Sequence, residues 1–144
     1  MRVYIPISAG DLIDRITILQ IKRAAIPNRA IAASVGQELD HLTAIRACFL
    51  KLGVPQIRSC ERRLVKLNRT LWDTEDELRA LEAAGDFGAT FVAAARRVYR
   101  TNDQRARLKR EINDLAGSAL REEKWFSKED ARPRKRKLTS RDSS

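Results

Sequence analysis

Two ladders of apolar residues dominate the middle of the chain. The first is Ile57, Cys60, Leu64, Leu67, Leu71, Thr74, Leu78 and Leu81. The second is Phe91, Ala94, Val98, Thr101, Arg105, Leu108, Ile112, Leu115 and Ala119. Both alternate steps of three and four, the period of a coiled-coil seam. Between them, Ala83-Ala84-Gly85-Asp86 reads as a helix stop and a restart, with Asp86 as the N-cap. The pattern predicts a long antiparallel hairpin with helices over about 56–84 and 86–116. Thirty residues at about 1.5 Å each make either arm about 45 Å long.

The first fifty residues predict two further helices. Ser8-Ala9-Gly10-Asp11 has the form of a capping box, with Asp in place of Glu or Gln. A helix over about 9–26 follows, with Leu12, Ile16, Leu19 and Ile26 on or near one stripe and Ile13, Ile18 and Ile21 widening it. A helix this apolar must be buried on more than one side. Pro27 ends it and Asn28 can cap the next, over about 29–52. That helix turns Ile31, Val35, Leu39, Leu42, Ile45, Phe49 and Leu52 inward. Val3-Tyr4-Ile5-Pro6-Ile7 ahead of them is β-branched and broken by proline, which suits an extended strap. At Gly117-Ser118 the last helix ends, kinks, or restarts as a short helix over 118–127. Trp125-Phe126 would dock back onto the bundle. The fold class expected is all-α, a helical bundle built on a coiled-coil hairpin. Its domain spans 1–130, and a disordered basic tail spans 131–144.

Charge changes the picture at one end. The net charge is +10, and half of it lies in the last thirteen residues, where Arg132, Arg134, Lys135, Arg136, Lys137 and Arg141 meet one acid, Asp142. The rest of the chain is only mildly basic. That weakens a nucleic-acid role for the domain itself and leaves one for the tail, where Arg132, Arg134, Lys135, Arg136 and Lys137 could touch nucleic acid or an anionic surface. No aromatic residue interleaves these cations for base stacking.

No targeting segment is expected. Met1–Gly10 lacks the cationic start and apolar run of a signal peptide, and no stretch approaches the roughly 18 apolar residues that span a bilayer. A cytoplasmic location is the expectation, and with it free, buried thiols at Cys48 and Cys60.

Candidate chemistry is sparse. The single histidine, His41, has no neighbour in a metal or catalytic motif, and no phosphate loop, nucleophile elbow or Cys/His spacing occurs. No metal or cofactor is implied. The acids around Glu75 and Asp76 fan out around a helix, and Glu75 can pair with Arg79 four residues on. Asp73 and Asp76 would face Arg96-Arg97-Val98-Tyr99-Arg100 across the hairpin, as an ion-pair belt. Thr101 and Arg105 stand in seam positions where leucine is expected. A buried arginine needs a carboxylate or a ligand anion. Arg105, Asn102, Asp103 and Asn68, with Arg96, Glu75 and Asp76 nearby, therefore form the candidate polar site. It either sets helix register or binds a small anion.

The chain resembles a small bacterial family of uncharacterised all-helical proteins over about Val3–Trp125. The resemblance rests on Gly10-Asp11-Leu12-Ile13-Asp14-Arg15-Ile16-Thr17-Ile18-Leu19, then Asn68, Leu71-Trp72, Glu75-Asp76 and Arg79. It continues through Phe91, Ala95-Arg96, Val98-Tyr99, Asn102-Asp103, Arg105-Ala106, Lys109, Ile112-Asn113 and Gly117-Ser118. It implies the same fold and no particular activity. Members look like stand-alone proteins or modules beside glycosyltransferases and helical-repeat proteins, which implies by association a link to surface glycan assembly. Leu12-Ile13-Asp14-Arg15-Ile16 is also similar, over five residues only, to the first helix of all-helical chorismate mutases.

Three functions follow as expectations. The first is a non-enzymatic helical scaffold or protein-interaction module that self-associates, because Trp72, Leu78, Phe87 and Tyr99 are left over once one seam is filled. The second is a small-molecule site, enzymatic or not, around Arg105, Arg96, Asn102 and Glu75. The third is weak nucleic-acid binding through the tail.

Overall fold

The computed structural model of the chain describes residues 1, 3–49 and 55–120. Among them every regular element is a helix: α1 (Ala9–Ala25), α2 (Arg29–Phe49), α3 (Pro55–Ala83) and α4 (Ala89–Ala116). None is long and apolar enough to cross a membrane.

The packing is organised around α1, which meets α2 on one side and both α3 and α4 on the other. The sequence of α1 carries two apolar stripes for this purpose. Leu12, Ile16 and Leu19 pack with Leu39 of α2, and Val35, Leu42 and Ile45 seal the edge of that cluster. Ile13 packs with Ile57, Cys60 and Leu64 of α3 and with Leu108 and Ile112 of α4. Both stripes are buried, as a helix with apolar residues on two sides requires. Burying a side chain of this size fully is worth about 1.5–3 kcal/mol relative to leaving it exposed.

α3 and α4 pack on each other along their length. Arg63 pairs with Glu111 and Glu77 pairs with Arg97, so residue numbers fall along one helix as they rise along the other. The stop between them is made by Gly85, which adopts φ +66. That left-handed conformation lets the Asp86 amide reach back to the Leu81 carbonyl at 2.9 Å, closing the end of α3.

Several expectations need correction. Asp86 is not the N-cap of α4. Gly88 is, and the Asp86 carboxylate accepts the Gly88 amide at 3.0 Å. Ile31 is exposed because the contact face of α2 begins at Val35. Cys48 is exposed while Cys60 is buried, and both are free thiols. Leu115 and Ala119 belong to the ladder by spacing but are exposed. α4 stops at Ala116, so Ala119 lies beyond it. No helix begins at Ser118 within residues 118–120. The side chain of Phe49, Leu52, the Trp125-Phe126 pair and the basic tail lie outside the described residues.

Candidate functional site

Where α1, α3 and α4 meet, side chains from all three helices join a buried polar cluster. Arg105 of α4 grips Asp14 of α1 as a fork, with Nε on Oδ1 at 2.8 Å and Nη2 on Oδ2 at 2.5 Å. Asn68 of α3 donates from Nδ2 to Asp14 Oδ1 at 2.9 Å and to Thr17 Oγ1 at 2.8 Å. The Thr17 hydroxyl in turn donates to the Asp14 carbonyl at 2.8 Å. Asp14, Asn68 and Thr17 are buried, whereas the Arg105 side chain keeps 26 % of its surface open. Charge-assisted, two-pronged hydrogen bonds of this kind are among the strongest available to a protein. Here they also fix how far α4 can slide along α1. Arg105 thus has its counter-ion within the chain, and its second amino group reaches Asn102 Oδ1 at 3.4 Å.

A second set of contacts fastens the start of α1 to the end of α4. The first amides of any helix lack partners within it. Asn113 Oδ1 accepts the Gly10 amide at 2.7 Å, and Ser118 Oγ accepts the Ala9 amide at 3.4 Å. Ser8 Oγ accepts the Asp11 amide at 3.1 Å and donates to Asp11 Oδ2 at 2.6 Å. The docking is tight enough that a Cβ on Gly10 would stand 2.4 Å from the Lys109 carbonyl oxygen, so only glycine fits. Lys109 Nζ meets Asp11 Oδ1 at 2.8 Å. Burial by itself would raise the Asp11 pKa. The hydrogen bonds from Lys109 and Ser8 and the charges of Lys109 and Arg105 together outweigh it and hold the carboxyl below its ordinary value.

A family model matches residues 1–137. The chain belongs to DUF6165, a family of unknown function. No curated protein and no solved structure matches it. In this DUF6165 member, residues on which the sequence resemblance rested lie at the α1–α3–α4 junction. Gly10, Asp11, Asp14, Asn68, Asn102, Arg105, Lys109, Asn113 and Ser118 all make contacts there.

The candidate polar residues divide. Arg105, Asn102 and Asn68 come together, and Asp14 and Thr17 complete them. Glu75 and Asp76 instead pair with Arg79 on the exposed side of α3, at 3.4 and 3.2 Å. The expected belt between Asp73, Asp76 and the arginines of α4 is replaced by one cross-helix pair, Glu77 with Arg97 at 2.7 Å. Arg96 is exposed, and Asp103 is half-buried. Glu75 also lines a cleft of about 190 Å³ beside the cluster, with Lys22, Trp72, Asn102 and Arg105. No group of acids, histidines or cysteines among the described residues could hold a metal ion. His41 is exposed on α2. Cys60 sits in the core, and burial, with Glu111 adding to it, pushes its thiol up to about 11, which leaves it inert at neutral pH.

Asp14 is absent from the candidate polar set for a definite reason. The carboxylate that Arg105 needs lies 91 positions away on α1, and the periodicity of the hairpin carries no sign of it. The available signal was Asp14 itself, an acid lodged between Ile13 and Ile16 in a helix apolar on two sides.

Proposed function

We propose that the protein is a non-enzymatic helical interaction module, with α3 and α4 forming a coiled-coil hairpin that displays a partner surface. The observation that carries this reading is the Asp14–Arg105 fork. The one seam arginine that called for an anion is neutralised by the chain itself, so the polar cluster acts as a clamp that sets register. Meanwhile Phe87, Val92 and Tyr99 stand exposed at the distal half of the α3–α4 pair, and Val3, Tyr4 and Ile5 stand exposed at the N-terminus. Apolar side chains in that number favour a partner or a second copy. The free thiols suit a cytoplasmic setting. The resemblance directs the search for a partner to glycosyltransferases and helical-repeat proteins. Light scattering of the full chain across a micromolar concentration series tests self-association, with a dimer or larger assembly expected. Phe87→Ser and Tyr99→Ser should dissociate it. A monomer throughout the series would remove the self-association.

A second reading rests on the cleft beside Arg105. Trp72 supplies an apolar wall, and Lys22 and Glu75 supply opposite charges, which together suit a small zwitterion or carboxylate. Lys22→Gln with Trp72→Ala should abolish such binding without unfolding the bundle. Unchanged binding in that double variant would dismiss the cleft.

A further inference from the structure

The charges along α3 are segregated. From Arg58 to Arg69 the helix carries five cations and one acid, Glu61, which is paired with Arg46 of α2. From Asp73 to Glu82 it carries five acids and one cation, Arg79. This order opposes the helix dipole, which favours acids in the first turn and cations in the last. α3 has no acid in its first turn and no base in its last. Arg58 and Arg62, and then Arg62 and Lys66, also repel at a spacing of four. Helix stability therefore does not explain the arrangement.

The fold turns much of the basic half into an open face. α1 meets α3 through Asn68 and Leu64. Arg62, Lys66 and Arg69, at spacings of four and three, form a stripe turned away from that contact, and all three are exposed. Beside the stripe runs a groove of about 360 Å³ floored by Leu67 and Leu108, with Lys66 on one wall and Arg107 on the other. Arg63, also on this groove, is matched by Glu111 at 3.3 Å. Among the described residues, Arg62, Lys66, Arg69 and Arg107 form no ion pair.

We propose that this face binds the phosphodiester backbone of nucleic acid without reading its sequence. Three of the four unmatched cations are guanidinium groups, whose forked donors fit phosphate oxygens two at a time. The stripe rises about 10 Å over seven residues. That length corresponds to about three successive phosphates of one duplex strand, at roughly 3.4 Å each along the axis. The stripe carries no aromatic residue, so contact is with the backbone rather than with stacked bases. None of the exposed large apolar side chains lies on α3, which disfavours a membrane surface, since an interfacial helix needs an apolar face to insert.

The test is binding of the full chain to a fluorescently labelled 20-base-pair DNA duplex, read as the slope of log K against log salt. Each phosphate contact contributes about −0.9 to that slope. Neutralising the stripe as R62Q/K66Q/R69Q should make the slope shallower by about 2.7, and R107Q by about 0.9, with helicity by circular dichroism unchanged. Neutralising the tail as R134Q/K135Q/R136Q/K137Q should leave the stripe's share intact. The proposal is overturned by any of three results: no duplex binding at 50 mM salt, a slope indifferent to the stripe substitutions, or binding to anionic lipid vesicles but not to the duplex. An R107Q effect without a stripe effect would overturn it as well.

Discussion

Arg105 and Arg107 lie two residues apart on α4 and lead opposite lives. Arg105 faces α1, is mostly enclosed, and is gripped by Asp14 and Asn102. Arg107 faces the groove on the other side and is exposed. Two residues are about 200° around a helix, so neighbours in sequence serve opposite surfaces. The inner face of the α3–α4 pair holds its charges in matched, desolvated sets, whereas the outer face leaves cations in water. A buried matched charge is a structural commitment, because removing one partner strands the other. An exposed unmatched charge is nearly neutral for stability and is available for binding.

Substitutions can break this contrast, and the largest effect is expected at Asp14. Asp14→Ala strands Arg105 and leaves Asn68 short of an acceptor, and it should cost about 3–5 kcal/mol in chemical denaturation. Asp14→Leu combined with Arg105→Leu should recover most of that loss. If the double variant were no more stable than Asp14→Ala, the two side chains would not be acting as a matched pair.

Smaller losses are expected where α1 docks on α4. Gly10→Ala drives a methyl group into the Lys109 carbonyl and should destabilise by about 1–3 kcal/mol. Asn113→Ala leaves the buried Gly10 amide without its acceptor and should cost a similar 1–3 kcal/mol or so. Wild-type melting behaviour in either variant would show that the end of α1 is not held as tightly as its contacts indicate.

Asp11 sharpens the contrast through pH. Its folded pKa lies below the ordinary value for an aspartate, so its contribution to stability is present above that ordinary value and is lost as pH falls through the folded one. Acid titration of unfolding should therefore show a shallower dependence below about pH 4 in Asp11→Asn than in the wild type. An identical acid limb in the two proteins would deny the Lys109 contact its electrostatic role. The smallest effect is expected on the outer face. Arg107→Gln should change stability by less than about 0.5 kcal/mol, a neutrality that differential scanning calorimetry would register directly.

The helices themselves were legible in the sequence because periodicity is a local property. Steps of three and four mark a buried stripe wherever they occur, and Ser8, Asn28 and Gly85 mark ends by their own backbone chemistry. Burial of α1 on more than one side was legible for the same reason, whereas its division into two stripes was not. The polar cluster was half legible. Arg105 announced itself as a cation in a seam, and Asn68 and Asn102 lay at the right level, but the acid that completes the set comes from a helix whose docking no local pattern encodes.

The sequence by itself determined that the middle of the chain forms helices, most of the residues that face inward on them, with Ile31 and Leu115 as exceptions, and that one seam position carries a charge needing a partner. Tertiary structure alone decided who that partner is. It also decided that Gly10 must be glycine because another backbone lies 2.4 Å from where its Cβ would be. The average charge of the folded part is mild, yet packing gathers Arg62, Lys66, Arg69 and Arg107 onto one side while Asp11 and Asp14 neutralise Lys109 and Arg105 on the other. Composition counts charges without regard to direction. Only the fold assigns each one to water or to a partner, and that assignment separates a clamp from a binding face.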